Sequence, residues 1–267
     1  MDYYSRSRAH EMRMTDTHIY FWGSVLSNWH QGGNFSGARA LELLLPRLEA
    51  TKINVLPRSH RSTQHIIRHS FNCGEQFMMA CKAWLFDRDP EAAVLRSILA
   101  SKKPADQKTM GRKVPGFNET IWEAVSIKIV VASQIARAEV NPQLATIYRK
   151  SGSRIFVEGS PYDRIWGVGL RWNERLIENE RNWNGKNKLG LCHGFARHVL
   201  WEQEMAKRAG AIAEQTSTEA FGEDAMTVSS ETPGEDVMDN SSELPGVTTE
   251  TQAWLDFKDV TQPGQKT

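Results

Sequence analysis

Lys82 follows Glu75 by seven positions in the run Glu75-Gln76-Phe77-Met78-Met79-Ala80-Cys81-Lys82. At 3.6 residues per turn, positions i and i+7 share one face of a helix, two turns apart. The helix is otherwise mostly apolar, so a carboxylate and an amine converging from it would be partly desolvated. Desolvation raises a carboxyl pKa and lowers an amine pKa, which brings both toward values useful for proton transfer or nucleophilic attack. Spacing alone favours a plainer arrangement, a surface face with both charges in water.

Two further stretches concentrate chemically capable residues. In Phe21-Trp22-Gly23-Ser24-Val25-Leu26-Ser27-Asn28-Trp29, small and amide residues lie between aromatics. Such a loop can stack bases and bond their edges, although a strand end with core tryptophans fits it as well. The run from Val157 to Gly169, VEGSPYDRIWGVG, crowds Glu158, Ser160, Asp163, Trp166 and Gly167 together. It is followed by Trp183 and Asn187 within NWNGKNKLG, residues 182–190. Glycine lets backbone N–H groups approach a phosphate, and aromatic rings offer faces for a base. Each Gly-x-Gly taken singly is explained by a tight turn.

The elements that must hold these residues follow from periodicity and caps. Ile19 to Trp22 reads as a short buried strand ended by Gly23. Glu75 to Phe86 reads as a helix, with Asp89-Pro90 as N-cap and first residue of the next, Glu91 to Leu99. A third helix is expected over Glu119 to Ala138, with Ile121, Val125, Ile129, Ala132 and Ala136 on one stripe. A fourth runs from Asn141-Pro142 through Arg149, Ile155 to Val157 is a buried strand, and a last helix spans Leu191 to Lys207. With no regular βαβ alternation and no internal repeat, the pattern predicts a mainly helical α+β single domain with a few short strands.

Composition bounds the function classes. The chain has 267 residues, 24% charged and 40% hydrophobic, which is ordinary for a globular domain. No run approaches the ~20 apolar residues of a membrane helix, and the start MDYYSRSRAHEMRM carries no apolar signal region. Cys73, Cys81 and Cys192 give neither a disulfide framework nor a zinc-ribbon spacing, so free thiols and an intracellular location, cytoplasmic or nuclear, are expected. The net charge of +1 hides an asymmetry: residues 1–208 carry 31 Lys/Arg against 20 Asp/Glu, and residues 209–267 carry 2 against 12. A basic body suits an anionic ligand, although solvated lysines give the same balance. Three regions are expected, a flexible N-terminus over 1–17, a domain over 18–208 and an acidic disordered tail over 209–267. Within the tail, Trp254-Leu255-Asp256-Phe257 is an apolar group that could dock.

Taken in order, these blocks resemble the NADAR (YbiA-like) family. Its members share an FWG-like or FxxLSNF-like opening, an EQ-containing helix ending in KA, a VEaSPyDriWGiG stretch and a W-x-G-x-N-x-LG close. Lys108-Thr109-Met110-Gly111-Arg112-Lys113-Val114-Pro115-Gly116-Phe117 with Trp122 is similar to the family's K-x-x-GR-x-V-x-GF…W block. The resemblance covers about Ile19 to Leu200 and implies cleavage of N-glycosidic bonds in ribosylated, phosphate-bearing substrates. Family members are associated with ribosylamino-pyrimidine phosphates of riboflavin synthesis and with removal of ADP-ribose from guanine bases.

On this resemblance Glu75 takes an acid–base or electrostatic role, and Lys82 attacks the anomeric carbon or holds a phosphate. Asp163 and Glu158 are further candidate carboxylates. Trp22, Gly23, Asn28, Arg112, Trp122, Ser160, Trp166, Gly167, Trp183 and Asn187 are expected around base, ribose and phosphates. The expected partner is a phosphorylated ribosyl small molecule or an ADP-ribosylated nucleic acid, with no membrane involved. No cofactor and no metal is expected, although His65 and His69 have an i, i+4 spacing. Residues 36–70, with Arg58, Arg61 and Arg68, form a basic insertion that either binds a polyanion or is merely solvated. Just before Glu75, Asn72-Cys73-Gly74 stands where the family has Thr/Ser-Ala. The rival function is a silent ADP-ribose or nucleotide reader, and a third possibility is a DNA-binding module.

Overall fold

The computed structural model describes residues 12–87 and 89–223. They fall into two compact units, one reaching Val199 and the other beginning at Leu200. The first holds every candidate residue. Its strands are short: β1 (Met12–Met14), β2 (His18–Phe21), β3 (Phe35–Ser36), β4 (Ser70–Phe71) and β5 (Ile155–Glu158). Between them come helices α1 (Gly37–Glu49), α2 (Arg61–Arg68), α3 (Gly74–Phe86), α4 (Ala93–Ala100), α5 (Pro104–Gly111), α6 (Glu119–Val140) and α7 (Pro142–Lys150). Helix α8 (Lys188–Glu223) contributes residues 188–199 to this unit, and its remainder makes the described part of the second, with an Arg208–Glu204 ion pair. The architecture is mainly helical α+β, as the sequence predicts.

β1 pairs antiparallel with β2, and β2 pairs parallel with β5, with Phe21 opposite Glu158. The register matters for function. It sets the loop that begins at Trp22 beside the turn that begins at Gly159, so two candidate stretches leave the sheet at the same end. Gly23 takes φ 72°, a left-handed conformation that glycine adopts without steric cost.

Helix α6 is the centre of the unit. Asn118 caps it by accepting from Ile121 N at 3.0 Å, and it packs against α1, α3 and α7. The apolar stripe predicts burial on one side only. Instead every residue from Val125 to Ala138 except Ile127 is buried, among them Lys128, Gln134 and Arg137. Helix α1 covers one side with Leu41, Leu44 and Leu48, each at most 1% exposed. Part of the presumed basic insertion is therefore core.

Several expected boundaries need correcting. Met12–Met14 within the presumed flexible N-terminus form an edge strand. Asp89 does accept from Glu91 N and Ala93 N, but α4 begins only at Ala93 because Ala92 adopts a left-handed conformation, φ 50°. Helix α8 continues to Glu223, past the expected end at Lys207 and into the presumed disordered tail. The expectations for residues 1–11, for 224 onward and for docking by Trp254 to Phe257 lie outside the described residues.

Gly74, which departs from the family pattern, has a physical reason here. A Cβ there would lie 2.0 Å from Asn28 Oδ1. Gly74→Ala is expected to cost about 1–3 kcal/mol, the usual cost of overpacking a tight site. Gly194→Ala, where a Cβ meets nothing within 4 Å, is expected to be neutral or to stabilise by up to ~1 kcal/mol through helix propensity. Urea denaturation of both variants checks the pair.

Candidate active site

Helix α3 is apolar on nearly every side, and Lys82 is its only residue that is not buried. Glu75 is 3% exposed, so the solvated-face arrangement does not hold. The two members of the pair are treated differently by the fold: the carboxyl is enclosed and the amine side chain is half-buried, open to solvent on one side.

Glu75 sits in the first turn of α3, where free backbone N–H groups favour negative charge. Its own N–H donates to Asn28 O at 2.9 Å, and its Oε2 accepts from Asn28 Nδ2 at 3.2 Å. The orientation of that amide is set from deeper in the core. Arg137 donates from Nη1 to Gln134 Oε1 at 2.6 Å, which leaves Gln134 Nε2 to donate to Asn28 Oδ1 at 3.2 Å. Asn28 can then present only N–H to Glu75. Arg137 is anchored by Val25 O and Ser27 O, 2.9 and 3.2 Å from Nη2, in the same loop that carries Asn28.

Burial dominates the carboxyl. It pushes Glu75 up to about 7, while Lys108, Asn28 and the Trp29 indole favour the charged form and Asp163 opposes it. Its Oε1 is buried without a hydrogen-bond partner. Glu158, at the end of β5, is pushed up to about 8 by burial first, then by the charges of Asp163 and Glu75, with Lys108 opposing. Its Oε2 is likewise unpartnered. Orphaned buried oxygens each cost about 1–3 kcal/mol, and in native folds they concentrate where a ligand or a reaction uses them.

Asp163 differs from both. Its Oδ1 accepts from the N–H groups of Ile165 and Trp166 at 3.0 and 2.8 Å, and its Oδ2 lies 3.7 Å from Lys108 Nζ. Lys108, on α5, is thus the cation that acts on all three carboxyls. Its Nζ also stands 5.7 Å from the Trp29 ring centroid.

Lys82 Nζ lies 3.9 Å from the centroid of Phe117 and 5.5 Å from that of Trp122, within cation–π range. Burial and the charge of Arg112 lower its proton affinity, and Glu75 partly restores it. No direct ion pair joins Lys82 to Glu75 among the described residues. The amine loses its proton more easily than a free lysine, as a nucleophile requires.

The turn carrying Glu158 and Asp163 is clamped on both sides. Gly167 is obligatory, since a Cβ would lie 2.8 Å from Glu158 O and 2.9 Å from Asp163 O. Lys188 N and Leu189 N, at the start of α8, donate to Ile165 O and Trp166 O at 3.2 and 3.0 Å. Ser160 is buried within this turn, while Trp166 and Trp22 are half-buried.

Two residues expected around the ligand have their polar groups engaged within the fold. Asn187 uses Nδ2 on Phe156 O at 2.9 Å and accepts from Glu158 N at 3.0 Å, so its amide extends the edge of β5. Trp183 donates from Nε1 to Ile177 O at 2.8 Å and packs on Tyr20, Val157, Val168 and Ile177. Both hold the scaffold. Gln76 is also structural: its Nε2 donates to Ile98 O, Leu99 O and Ser101 O at the end of α4. Sequence reasoning missed Lys108, Trp29, Gln134 and Arg137 as site residues. Lys108 and Trp29 lie inside the segments that resemble the family, but Gln134 and Arg137 carry no local signal on an apolar helix. Among the described residues, no group of three or more His, Cys, Asp or Glu could hold a metal ion.

A carboxyl group held near neutrality, with one amine at its open side, on an α+β helical frame defines the class of site. Residues 20–201, more than half of the chain, match the NADAR domain, and the chain belongs to that family. It is 37% identical over 116 residues to the N-glycosidase R617 of Acanthamoeba polyphaga mimivirus, covering 43% of this chain and 66% of that protein. It is 32% identical over 140 residues to the protein irg-1 of Caenorhabditis elegans, covering 51% of this chain and 64% of that one. The matches thus span just under two thirds of each relative. The NMR structure of the E. coli protein YbiA is similar at a TM-score of 0.48 and 17% identity, over 75% of this chain and 94% of that one.

Two outcomes follow from the electrostatics. Because Glu158 binds its proton more tightly folded than unfolded, folding takes up a proton above pH 4.5, and stability falls as pH rises toward about 8. Glu158→Gln is therefore expected to raise Tm more at pH 9 than at pH 5, by at least the ~2–4 °C that 1 kcal/mol gives a domain of this size. An equal change at both pH values contradicts it. Gln134→Leu frees the Asn28 amide to turn, and the Glu75 pKa is expected to climb further, by about one pH unit. Carboxyl carbon NMR titration reads that directly.

Proposed function

We propose that this protein hydrolyses N-glycosidic bonds of ribosylated, phosphate-bearing substrates. The observation that carries the reading is the Glu75 carboxyl, buried and held at about 7, on the same helix face as the only open residue of α3. The N-glycosidase name of the mimivirus relative supports it.

Breaking such a bond leaves positive charge on the anomeric carbon and negative charge on the departing nitrogen base. Glu75 and Glu158 each hold a proton for part of the time near neutral pH, so either can donate one to the departing base. Once ionised, Glu75 stabilises the cationic sugar through charge. The neutral Lys82 amine attacks the anomeric carbon as the base leaves with its proton. The ring oxygen then departs from that carbon as an alcohol, taking up a proton that the nitrogen gives up, which forms the imine, and water hydrolyses the imine to release the sugar and restore the amine. Phe117, Trp122 and Trp29 provide faces for a planar base, and Lys108 and Arg112 provide charge for phosphates. Two substrate classes present these parts, a ribosylamino-pyrimidine phosphate and ADP-ribosylated guanine in nucleotides or nucleic acid, and the site chemistry serves both. An intracellular location, cytoplasmic or nuclear, fits substrates of either kind.

Incubation with both substrates, followed by chromatography of released base, tests the reading. Glu75→Gln is expected to lose about 10²–10⁴-fold in turnover, the usual contribution of a positioned acid or base. Borohydride is expected to trap a covalent adduct in the parent protein and none in Lys82→Met. Turnover by Glu75→Gln equal to the parent removes Glu75 from the mechanism. Tight ligand binding without release of base by the parent would make the protein a nucleotide reader.

A further inference from the structure

A second feature lies outside the carboxylate group. Between α2 and α4 is a cavity of about 410 Å³ lined by His65, Arg68, His69, Arg96, Leu99 and Ala100. None of these residues belongs to the site described above. Gln76 stands between the two places, bonded to Leu99 O on one side and accepting from His69 Nε2 at 3.4 Å.

Its lining is cationic and poorly compensated. Arg61, next to the cavity, is paired with Glu91 at 3.2 Å, but no carboxylate pairs with Arg68 or Arg96 among the described residues. Asp89 feels the charge of Arg96 yet holds its oxygens on the N–H groups of Glu91 and Ala93 at 3.0 Å. Burial and then Arg61, Arg96 and Arg68 lower the proton affinity of His65, so several guanidinium charges converge on one imidazole. His65 Nε2 is buried without a partner. Unrelieved positive potential around an open cavity, with planar guanidinium forks at its edge, is the chemistry that recognises phosphate oxygens.

We propose that the cavity between α2 and α4 binds phosphate groups, held by Arg68 and Arg96, as a site separate from the Glu75 centre. A phosphate of a small ligand and the phosphodiester of a polynucleotide present the same oxygens, and the two probes below tell them apart. Leu99 and Ala100 supply an apolar surface against which the sugar of either would rest.

The test measures inorganic pyrophosphate by calorimetry and a fluorescein-labelled oligothymidylate by anisotropy on the full chain at low salt. Three proteins are compared with the parent: the double variant Arg68→Glu/Arg96→Glu, the distant charge reversal Lys150→Glu, and Glu75→Gln. All the reversed side chains are exposed, and circular dichroism confirms folding. The double variant is expected to lose at least about tenfold in affinity, roughly 1.4 kcal/mol, with Lys150→Glu unchanged. Loss for both probes marks a general phosphate site. Loss for the oligonucleotide alone assigns the cavity to a polymer backbone, and loss for pyrophosphate alone to a small ligand. Absence of binding by the parent, an equal loss in Lys150→Glu, or no loss in the double variant overturns the proposal. Retained binding by Glu75→Gln separates this outcome from any failure of the hydrolytic reading.

Discussion

The hydrogen bond from Asn28 to Glu75 is the interaction on which the rest of the structure turns. It joins the loop after β2 to the first turn of α3, and its direction is fixed by Gln134 and Arg137 on α6. Arg137 is itself enclosed, and burial lowers its proton affinity, the largest influence on it. A buried guanidinium without a carboxylate partner is costly unless its N–H groups are matched. Here main-chain and amide oxygens match them, so the charge orients a donor without neutralising the carboxyl. A carboxylate in place of Gln134 would pair with Arg137 and would offer Asn28 an acceptor, reversing the amide that Glu75 sees.

Around that bond the fold gives three carboxyl groups different surroundings. Asp163 has two backbone N–H donors and Lys108 to support its charge, whereas Glu158 is enclosed with one oxygen unpartnered. Like charges so close cannot all ionise cheaply. Two backbone N–H groups and Lys108 surround Asp163, while burial favours the protonated form of Glu158, so two near-identical side chains meet different surroundings. Lys108 moderates the whole group, because its charge favours ionisation of Glu75 and Glu158 alike. At the opening, Arg112 and partial burial work on Lys82 in the opposite sense from Glu75.

What was legible in the sequence followed the range of the interactions. Periodicity located α3, α6 and α7 because helices are built from contacts three and four residues apart. The proline and asparagine at the start of α7 worked as read, with Asn141 accepting from Gln143 N and Leu144 N. The aspartate and proline before α4 did not, because a left-handed Ala92 intervenes. The pairing of β2 with β5 spans more than a hundred residues and leaves no local trace, so the approach of Glu158 to Glu75, close enough for their charges to act on each other, could not be read from spacing. For the same reason the bonds of Asn187 to β5 and of Trp183 to Ile177 O leave no signal in the residue types, which suit a ligand equally well.

Glu75 and Lys82 illustrate how burial, rather than spacing, decides chemistry. An i, i+7 relation puts two groups on one face whatever that face touches. What distinguishes Glu75 from a surface glutamate is that α6 lies against α3, bringing Gln134 within reach of Asn28 and excluding water from the carboxyl. Lys82, two turns further along, escapes that contact and meets aromatic rings. A proton on Glu75 and a free amine on Lys82 are both favoured by dehydration, and each charge stabilises the other when water returns. Dehydration of the opening therefore moves both groups toward the forms that bond cleavage requires. A ligand that fills the opening supplies it.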